Sequence, residues 1–534
     1  MRVHYPRTPH LPWSPGVSAD DVRVADLSGF LGREVVVTEK LDGENTTLYR
    51  DGLHARSLDS GHHPSRAWVK SLQSRLAIPP GVRVCGENVF ARHSLPYDDL
   101  SSWFYAFSVW DGDRCLGWDD TVAFARRLGV PVPPVLWRGV FDERALRALR
   151  LDLTRQEGFV VRTVAGFSRA DFPGHVAKWV RRGHVQTSTH WMQAPVVVNG
   201  RGPDAALWDV RAGFPVDVPA VLHAVGMTSA VTDLAEFDRT GDARLTGVLA
   251  TLLRDKPRTW LMPRLVAPLG MRLARRVADL VGLAPLLRED FPDDERRAGL
   301  IRLAVAADLG VLHAVAGESA AVEWSALVAE EAGLMGEDPL LPLRAALPYQ
   351  DVDVRDRCWS EAREAFATGR LHTPAEAEAA TWRWRSGEFP RLVVMVGPAG
   401  SGKSTFTSTV DADDVVSLDG LRTGEHANVL REGLERLDKA LARGGTVVWD
   451  ATAINRHQRS VVATVAAGRD ALVTHAVLVV GEDLAARRNA ARRHPVPADV
   501  VAAQFRRFAP PYPGEAHRTW YVGAGGTIDD VAVG

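Results

Sequence analysis

Residues 397–404 read GPAGSGKS, and no other stretch limits so tightly what this chain can fold into. The pattern is G-x-x-x-x-G-K-[ST]. It follows an apolar run, RLVVMV, and precedes a stretch with helical spacing, which is the context the motif needs. Gly397, Gly400 and Gly402 let the backbone N–H groups turn inward around phosphate oxygens, and the helix N-terminus adds positive potential. Lys403 can reach the β and γ phosphates of a nucleotide, and Ser404 can hold Mg²⁺. Ser401 and Thr405 complete the phosphate cradle. A strand buried on both faces must stand behind such a loop. GGTVVWDAT and ALVTHAVLVVG supply further buried-strand patterns, with helical stretches between them. Residues 389–534 are therefore expected to form an α/β domain on a parallel sheet.

Three more segments follow the loop. VVSLDGLR carries Asp419 and Arg422, TVVWDATAIN carries Asp450, Thr452 and Asn455, and ARRNAARRHPVP carries Arg488, Arg492 and Arg493. Phosphoryl transfer needs a carboxylate to orient and deprotonate the attacking hydroxyl, and arginines over the phosphates. Taken singly, an Asp at a strand end is often a helix cap and an Arg-rich helix a solvated face. In this order behind a P-loop, the segments resemble the 5′-OH polynucleotide kinase domains of RNA-repair enzymes. The resemblance implies that Asp419 is the general base and that Arg422 contacts the acceptor phosphate. It also implies that Arg488 or Arg492 is a lid arginine, a choice that spacing leaves open. Ser404 and Asp450 would hold the metal.

The first 190 residues have a different texture. REVVVTEKL, RVCGENVFA, WFYAFSVWD, EGFVVRTV and HVAKWVRR are short apolar or alternating runs punctuated by Gly, Pro and Asp. They predict strands of a mostly antiparallel sheet. SRAWVKSLQSRL and WDDTVAFARRLG read as helices, so an α+β domain is expected. Within it, Lys40 and Asn45 in EKLDGEN are followed in order by Arg56, Glu87, Phe107, Glu157 and Lys178. K-x-D-G alone fits a surface lysine before a turn. The ordered series resembles the covalent nucleotidyltransferases (RNA ligases, DNA ligases and capping enzymes) over about residues 30–185. EKLDGEN is most similar to RNA ligases of the phage and bacterial type.

That resemblance implies that Lys40 attacks the α-phosphate of ATP and carries AMP as a phosphoramidate. A free lysine titrates near about 10.4, so the nucleophile must be pushed toward neutrality. Arg56 and Lys178 are the cations at hand, and Lys178 would also grip the α-phosphate. Phe107 would stack on adenine. Asn45 belongs to the same nucleotide-binding set. Glu87 would accept from the ribose hydroxyls, and Glu157 would help hold the metal. Strand alternation places Trp103, Tyr105 and Phe107 on one face. The chain departs from the family in having Ser108 after Phe107, with Asp111 nearby. It also has a single lysine, Lys178, in its last motif, with Arg181 and Arg182 downstream. His62, His63 and Arg66 fit an RNA contact or an ordinary polar loop equally well.

Residues 196–388 are rich in Ala, Leu and Arg at helical spacing, so an all-α middle domain is expected. It vaguely resembles a decayed HD-type helical fold. Arg254 precedes Asp255 where an HD pair needs a neutral imidazole, and His223 and His313 are isolated. DVDVRD, Asp351 to Asp356, lacks a preceding buried strand and is expected to be a loop. The domain is expected to be a helical spacer and RNA-binding platform.

Charge and cysteine usage narrow the setting. Lys and Arg number 64 against 66 Asp and Glu, so any nucleic-acid site must be a local basic groove. Cys85, Cys115 and Cys358 lie far apart, which argues against a disulfide framework or Cys-rich zinc site and for a reducing compartment. The N-terminus lacks a signal-type apolar core, and no apolar run of about 18 residues is present. The expected protein is cytoplasmic and multidomain, with boundaries at 1–195, 196–388 and 389–534, and it makes no use of a membrane. It would use ATP with Mg²⁺ or Mn²⁺ to phosphorylate a 5′-OH RNA end and seal it to a 3′-OH, on broken RNA such as tRNA. A DNA-repair ligase-kinase, or a nucleic-acid-binding sensor with a P-loop ATP switch, remain open alternatives.

Overall fold

The computed structural model describes residues 2–18, 21–59, 61–183, 195–289, 293–418 and 429–534. The chain separates into two compact units, 1–228 with 239–245, and 229–238 with 246–534. The described part of residues 196–388 is helical, as its spacing predicts. Their first helices belong with the N-terminal sheets and the rest with the P-loop sheet.

The first unit contains two sheets. In the four-stranded one, Val176–Val180, Gly158–Thr163, Glu34–Lys40 and Val135–Val140 lie side by side, all antiparallel. Side chains alternate across it as the pleat requires. Val35, Val37, Phe159, Val161 and Ala177 fill a core on one face. Thr38, Lys40, Val160, Arg162, Val176 and Lys178 line a cavity on the other. The N-terminal segment extends this sheet, because Lys178 N donates to Pro9 O at 2.9 Å and Leu11 N to Lys178 O at 2.8 Å.

The second sheet has six strands, from Gly52–His54 through Glu44–Tyr49, Val82–Asn88, Phe104–Asp111 and Arg114–Cys115 to Phe167–Ser168. Leu48, Val84, Phe104, Ala106 and Val109 pack on one face against Val69 and Leu72 of the helix Ala67–Gln73. They also meet Ala125 and Leu128 of the helix Trp118–Leu128. All five apolar runs read as strands, and both stretches read as helices, form the expected elements.

The second unit is built on a six-stranded sheet. Its order is Asp414–Ser417, Thr446–Asp450, Arg391–Val396, Leu472–Leu478, Arg518–Val522, Ile528–Val533. All neighbours are parallel except the last pair, an antiparallel hairpin. The P-loop strand sits between two parallel partners, and its residues 392–396 are all buried, which explains the unbroken apolar run.

DVDVRD corrects the loop expectation. Asp351 caps the helix Val352–Ala367, accepting from Asp353 N at 2.8 Å and Val354 N at 3.0 Å. Asp353 and Asp356 then turn onto the sheet. Arg518 donates to Asp356 and to Asp353, each at 2.6 Å, and Arg391 donates to Asp353 at 2.5 Å. The lack of a preceding strand, on which the loop expectation rests, does not bear on a helix, and the acids are paired inside the fold.

Both ring nitrogens of His313 are taken up inside the fold. His313 is buried between Leu309 O and Ser325 Oγ, and Asp255 pairs with its neighbour Lys256 at 2.7 Å. Among the described residues no group of three His, Cys, Asp or Glu is placed to hold a metal, and no single helix is long and apolar enough to cross a membrane. Removing one partner of a buried ion pair strands the other charge. Asp356, whose side chain is 1 % exposed, is therefore a sensitive position. Asp356→Ala should cost the second unit about 3 kcal/mol, read as a lowered urea midpoint, whereas exposed Asp338→Ala should leave that midpoint nearly unchanged.

Candidate functional site

Lys40 is the last residue of its strand and pairs with Gly158, so Glu157 arrives beside it from the neighbouring strand. The Lys40 amine is ion-paired to the Glu157 carboxylate, which is itself buried. Directly after Lys40 the chain turns through Asp42 and Gly43. Asp42 Oδ2 accepts from Ser94 N and Leu95 N, each at 2.8 Å, and its own N–H donates to Tyr97 Oη at 2.9 Å. A Cβ at Gly43 would fall 2.5 Å from Asn88 O. Only a glycine lets the turn come close enough for its N–H to donate to Glu87 Oε1 at 3.2 Å. The K-x-D-G signature is thus a tight packing unit as well as the carrier of the amine.

The cavity in front of Lys40 has a volume of about 710 Å³. Asn45, Arg56, Glu87, Phe107 and Lys178 all border it, and Glu157 lies beside it on the Lys40 amine. Asn45 and Glu87 are register partners on adjacent strands. Phe107 does not share a cluster with Trp103 and Tyr105, contrary to simple alternation. The register shifts between Cys85 and Gly86, which puts Ser108 opposite Cys85 and Ala106 opposite Gly86 and leaves Phe107 unopposed. Trp103 and Tyr105 pack with Leu41 and Val89. Phe107 turns to the cavity, with Tyr5 edge-on at 5.1 Å.

The electrostatics depart from expectation at Lys40. Burial alone would depress the Lys40 amine, but Glu157 and Glu87 outweigh it and hold the amine above its ordinary range. Lys178 moves the other way, lowered by burial and then by the facing Lys40 charge. Glu87 is pushed up to about 8 by burial, with Glu157 and Asp42 adding to the rise and Lys40 opposing it. The Lys40 cation is thus balanced chiefly by Glu157, while Glu87 is reluctant to ionise.

Sequence reasoning missed several lining residues. Tyr5, Pro6, Arg7 and Thr8 form part of the wall, and no motif marks them. Arg162 pairs in register with Val176, two residues before Lys178, and borders the cavity while donating to Phe107 O and Leu116 O. Arg181, downstream of the single lysine of the last motif, donates to Leu153 O at 2.6 Å. Arg66 is not on the surface. It forms a buried pair with Glu44, which follows Gly43. His63 caps the short turn Pro64–Arg66 and His62 lies 3.1 Å from Lys70 Nζ.

A second cavity, also about 710 Å³, surrounds the P-loop. Gly400, Ser401, Gly402, Lys403, Ser404 and Thr405 line it. Gly397 closes the strand end, its N–H donating to Thr452 O at 3.1 Å. Gly400 has φ +79°, and a Cβ there would meet Ala485 O at 2.2 Å, so no other residue fits. Lys403 Nζ donates to Gly397 O and Pro398 O, each at 2.9 Å. Asp450 and both Arg488 and Arg492 border the cavity, so the two arginines remain equal candidates. Asn455 is a helix cap, accepting from Gln458 N. Asp419 and Arg422 lie outside the described residues. Gln504 and the turn Gly523–Gly526, unmarked in sequence, also line the cavity.

Glu87 yields a pH test. Unfolded, it titrates near 4.5; folded, it keeps its proton up to about 8. The folded state then binds the extra proton in between, so this group makes stability fall as pH rises across that window. Glu87→Gln should flatten the fall of the first unit's urea midpoint between those pH values. An unchanged slope in the variant would refute the assignment.

Comparison with known proteins agrees with this division of sites. Residues 33–180 match the family model described as RNA ligase, and residues 392–511 match that described as AAA domain. No curated protein matches. Among solved structures, a gluconokinase from Sinorhizobium meliloti aligns at 22% identity over 26% of this chain and 86% of its own, with TM-score 0.21. A Naegleria gruberi RNA ligase mutant with AMP and Mn aligns at 17% identity, over 29% of this chain and 52% of its own, with TM-score 0.22. A second mutant of that ligase, with ATP and Mn, aligns at 16% identity over 31% and 60%, with TM-score 0.22. The chain thus spans little more than half the length of that ligase. The polypeptide joins an RNA ligase domain in its N-terminal part to a P-loop AAA domain in its C-terminal part.

Proposed function

We propose that this protein heals and seals broken RNA ends, using ATP in both of its sites. The observation that carries the sealing half is the Lys40 amine. It lies between Glu157 and Glu87 at the wall of a cavity bordered by Asn45, Arg56, Phe107 and Lys178. In the first step the amine lone pair forms a bond to the α-phosphorus of ATP, and the bond to pyrophosphate breaks. Lys178, lowered by burial and by Lys40, and Arg56 would stabilise the charge that develops on the phosphate oxygens. Phe107 would offer a face to adenine, and Asn45 and Glu87 would engage the ribose side. In the second step AMP passes from Lys40 to the 5′-phosphate of RNA. In the third, a 3′-OH displaces AMP and forms the phosphodiester.

The amine must lose a proton to react. The Glu157 and Glu87 carboxyl groups facing the amine form a hard-oxygen donor set, which fits a divalent cation. Held by Glu157, Mg²⁺ or Mn²⁺ would supply positive charge that weakens the hold of the carboxylates on the Lys40 proton.

The healing half rests on the P-loop. Its buried Ser401 hydroxyl has no hydrogen-bond partner among the described residues, as fits a cradle shaped for phosphate oxygens. Lys403 would exchange the carbonyls of Gly397 and Pro398 for β and γ phosphates. Ser404 and Asp450 present hydroxyl and carboxylate oxygens suited to a metal. Asp419 would take the proton of the 5′-OH, Arg422 would contact the acceptor phosphate, and Arg488 or Arg492 would cover the transferring phosphoryl group. The product of this site is the substrate of the other, so one chain raises the effective concentration of the end passed on.

Incubation with α-labelled ATP and Mg²⁺ should place label on wild type and not on Lys40→Ala, while Lys40→Ala keeps γ-phosphoryl transfer to 5′-OH RNA. Lys403→Ala should show the reverse, and chelation by EDTA should stop both reactions. Loss of both activities in either variant would contradict two independent sites. Paired RNA and DNA nicks, assayed together, would separate RNA sealing from DNA repair.

A further inference from the structure

We propose that Arg258, on the helix Arg258–Leu269 outside the P-loop sheet, is a positioning residue for the phosphate cradle and acts through Gln504. The inference rests on the nucleotide reading of that cradle. Gln504 lies on the helix Ala498–Arg507 and borders the cavity. Its Oε1 accepts from Ala399 N, an amide of the loop itself, at 2.7 Å. The angle of that helix therefore sets where one edge of the cradle stands.

The helix runs out at Arg507, and its exit is clamped from two sides. On the sheet side, Ala509 N donates to Ile454 O at 2.8 Å, and Arg459 Nη1 donates to Ala509 O at 2.9 Å. On the helical side, Arg258 donates from Nη1 to Pro510 O at 2.5 Å and from Nη2 to Pro511 O at 3.0 Å. Its guanidinium also lies 3.7 Å from the centre of the Tyr512 ring. Two consecutive prolines fix φ and have no N–H to donate. The segment is stiff, and its carbonyls are the handles that a donor fork can hold.

Arg258 is buried, and its charge is met by Asp279 at 2.6 Å, a side chain with 0 % exposure. Arg275 joins Asp279 at 3.0 Å and reaches Asp530 of the terminal hairpin at 2.8 Å. Burying such a set costs desolvation, and apolar side chains of similar volume would pack at least as stably. What apolar packing cannot supply is a two-point grip on the Pro510 and Pro511 carbonyls. The path Arg258, Pro510–Pro511, helix end, Gln504, Ala399 makes the helical region a working part of the phosphotransferase unit, where sequence suggested a spacer.

Arg258→Lys separates grip from fold, since a lysine keeps the charge opposite Asp279 but has no planar fork. In the full chain it should lower kcat/KM for 5′-phosphorylation roughly 10- to 100-fold, as a misplacement of a reacting group by up to about 1 Å does. Gln504→Ala should do likewise, and the double variant should lose no more than the worse single one. The thermal midpoint of the second unit and Lys40 self-adenylylation should stay near wild type. Full activity in Arg258→Lys, or losses that multiply in the double variant, would overturn the proposal. Should Arg258→Lys not fold, Pro511→Gly loosens the segment without touching the buried charges, and the same non-additivity with Gln504→Ala applies. If the wild type proves unable to phosphorylate RNA, the reading of the site fails. Affinity for a fluorescent ATP analogue then decides the positioning claim, since Arg258→Lys must weaken it.

Discussion

A half-buried lysine amine set between Glu157 and Glu87 governs the design of the first unit. The charge of Lys40 is tolerable there only because Glu157 reaches it from the adjacent strand and Glu87 from the other sheet. Two sheets must therefore converge on one atom. The tight turn at Gly43 and the anchoring of Asp42 by two backbone amides bring them together. The same arrangement leaves the amine over-stabilised as a cation and Glu87 reluctant to ionise.

The second unit solves a different problem with similar means. Its parallel sheet has helices to anchor as well as strands to pair, and buried acids do the anchoring. Asp353 and Asp356 hold the end of the helical region to the strands Arg391–Val396 and Arg518–Val522. Asp279 holds Arg258 and Arg275, and through them the proline segment and the terminal hairpin. Most of the helices between the two sheet regions thus fall in one compact unit with the P-loop sheet.

How legible each part is depends on how local its physics is. The P-loop is legible because loop, strand and helix are contiguous, and Gly400 can be no other residue. The strands flanking Lys40 are legible from alternation, and their motifs from order. Phe107 and its neighbours are less so, because Phe107 is the extra residue of a bulge that breaks the alternation of its own strand, and the alternating apolar pattern does not announce the break. DVDVRD misleads for a related reason, since acids facing buried arginines far along the chain look like solvated ones. Gln504, Arg258 and the Tyr5–Thr8 wall carry no local signal, because their roles exist only through partners more than a hundred residues away, in one case over 250.

The N-terminal segment that lies along Val176–Val180 has a practical side. A shortened protein beginning at residue 33, where the family match starts, would leave the backbone of that strand unpaired at the rim of its sheet. Bare rims recruit strands from other molecules. Such a fragment would tend to self-associate and would present Lys178 in an altered setting, so experiments on the sealing reaction are best made with the first residues kept in place.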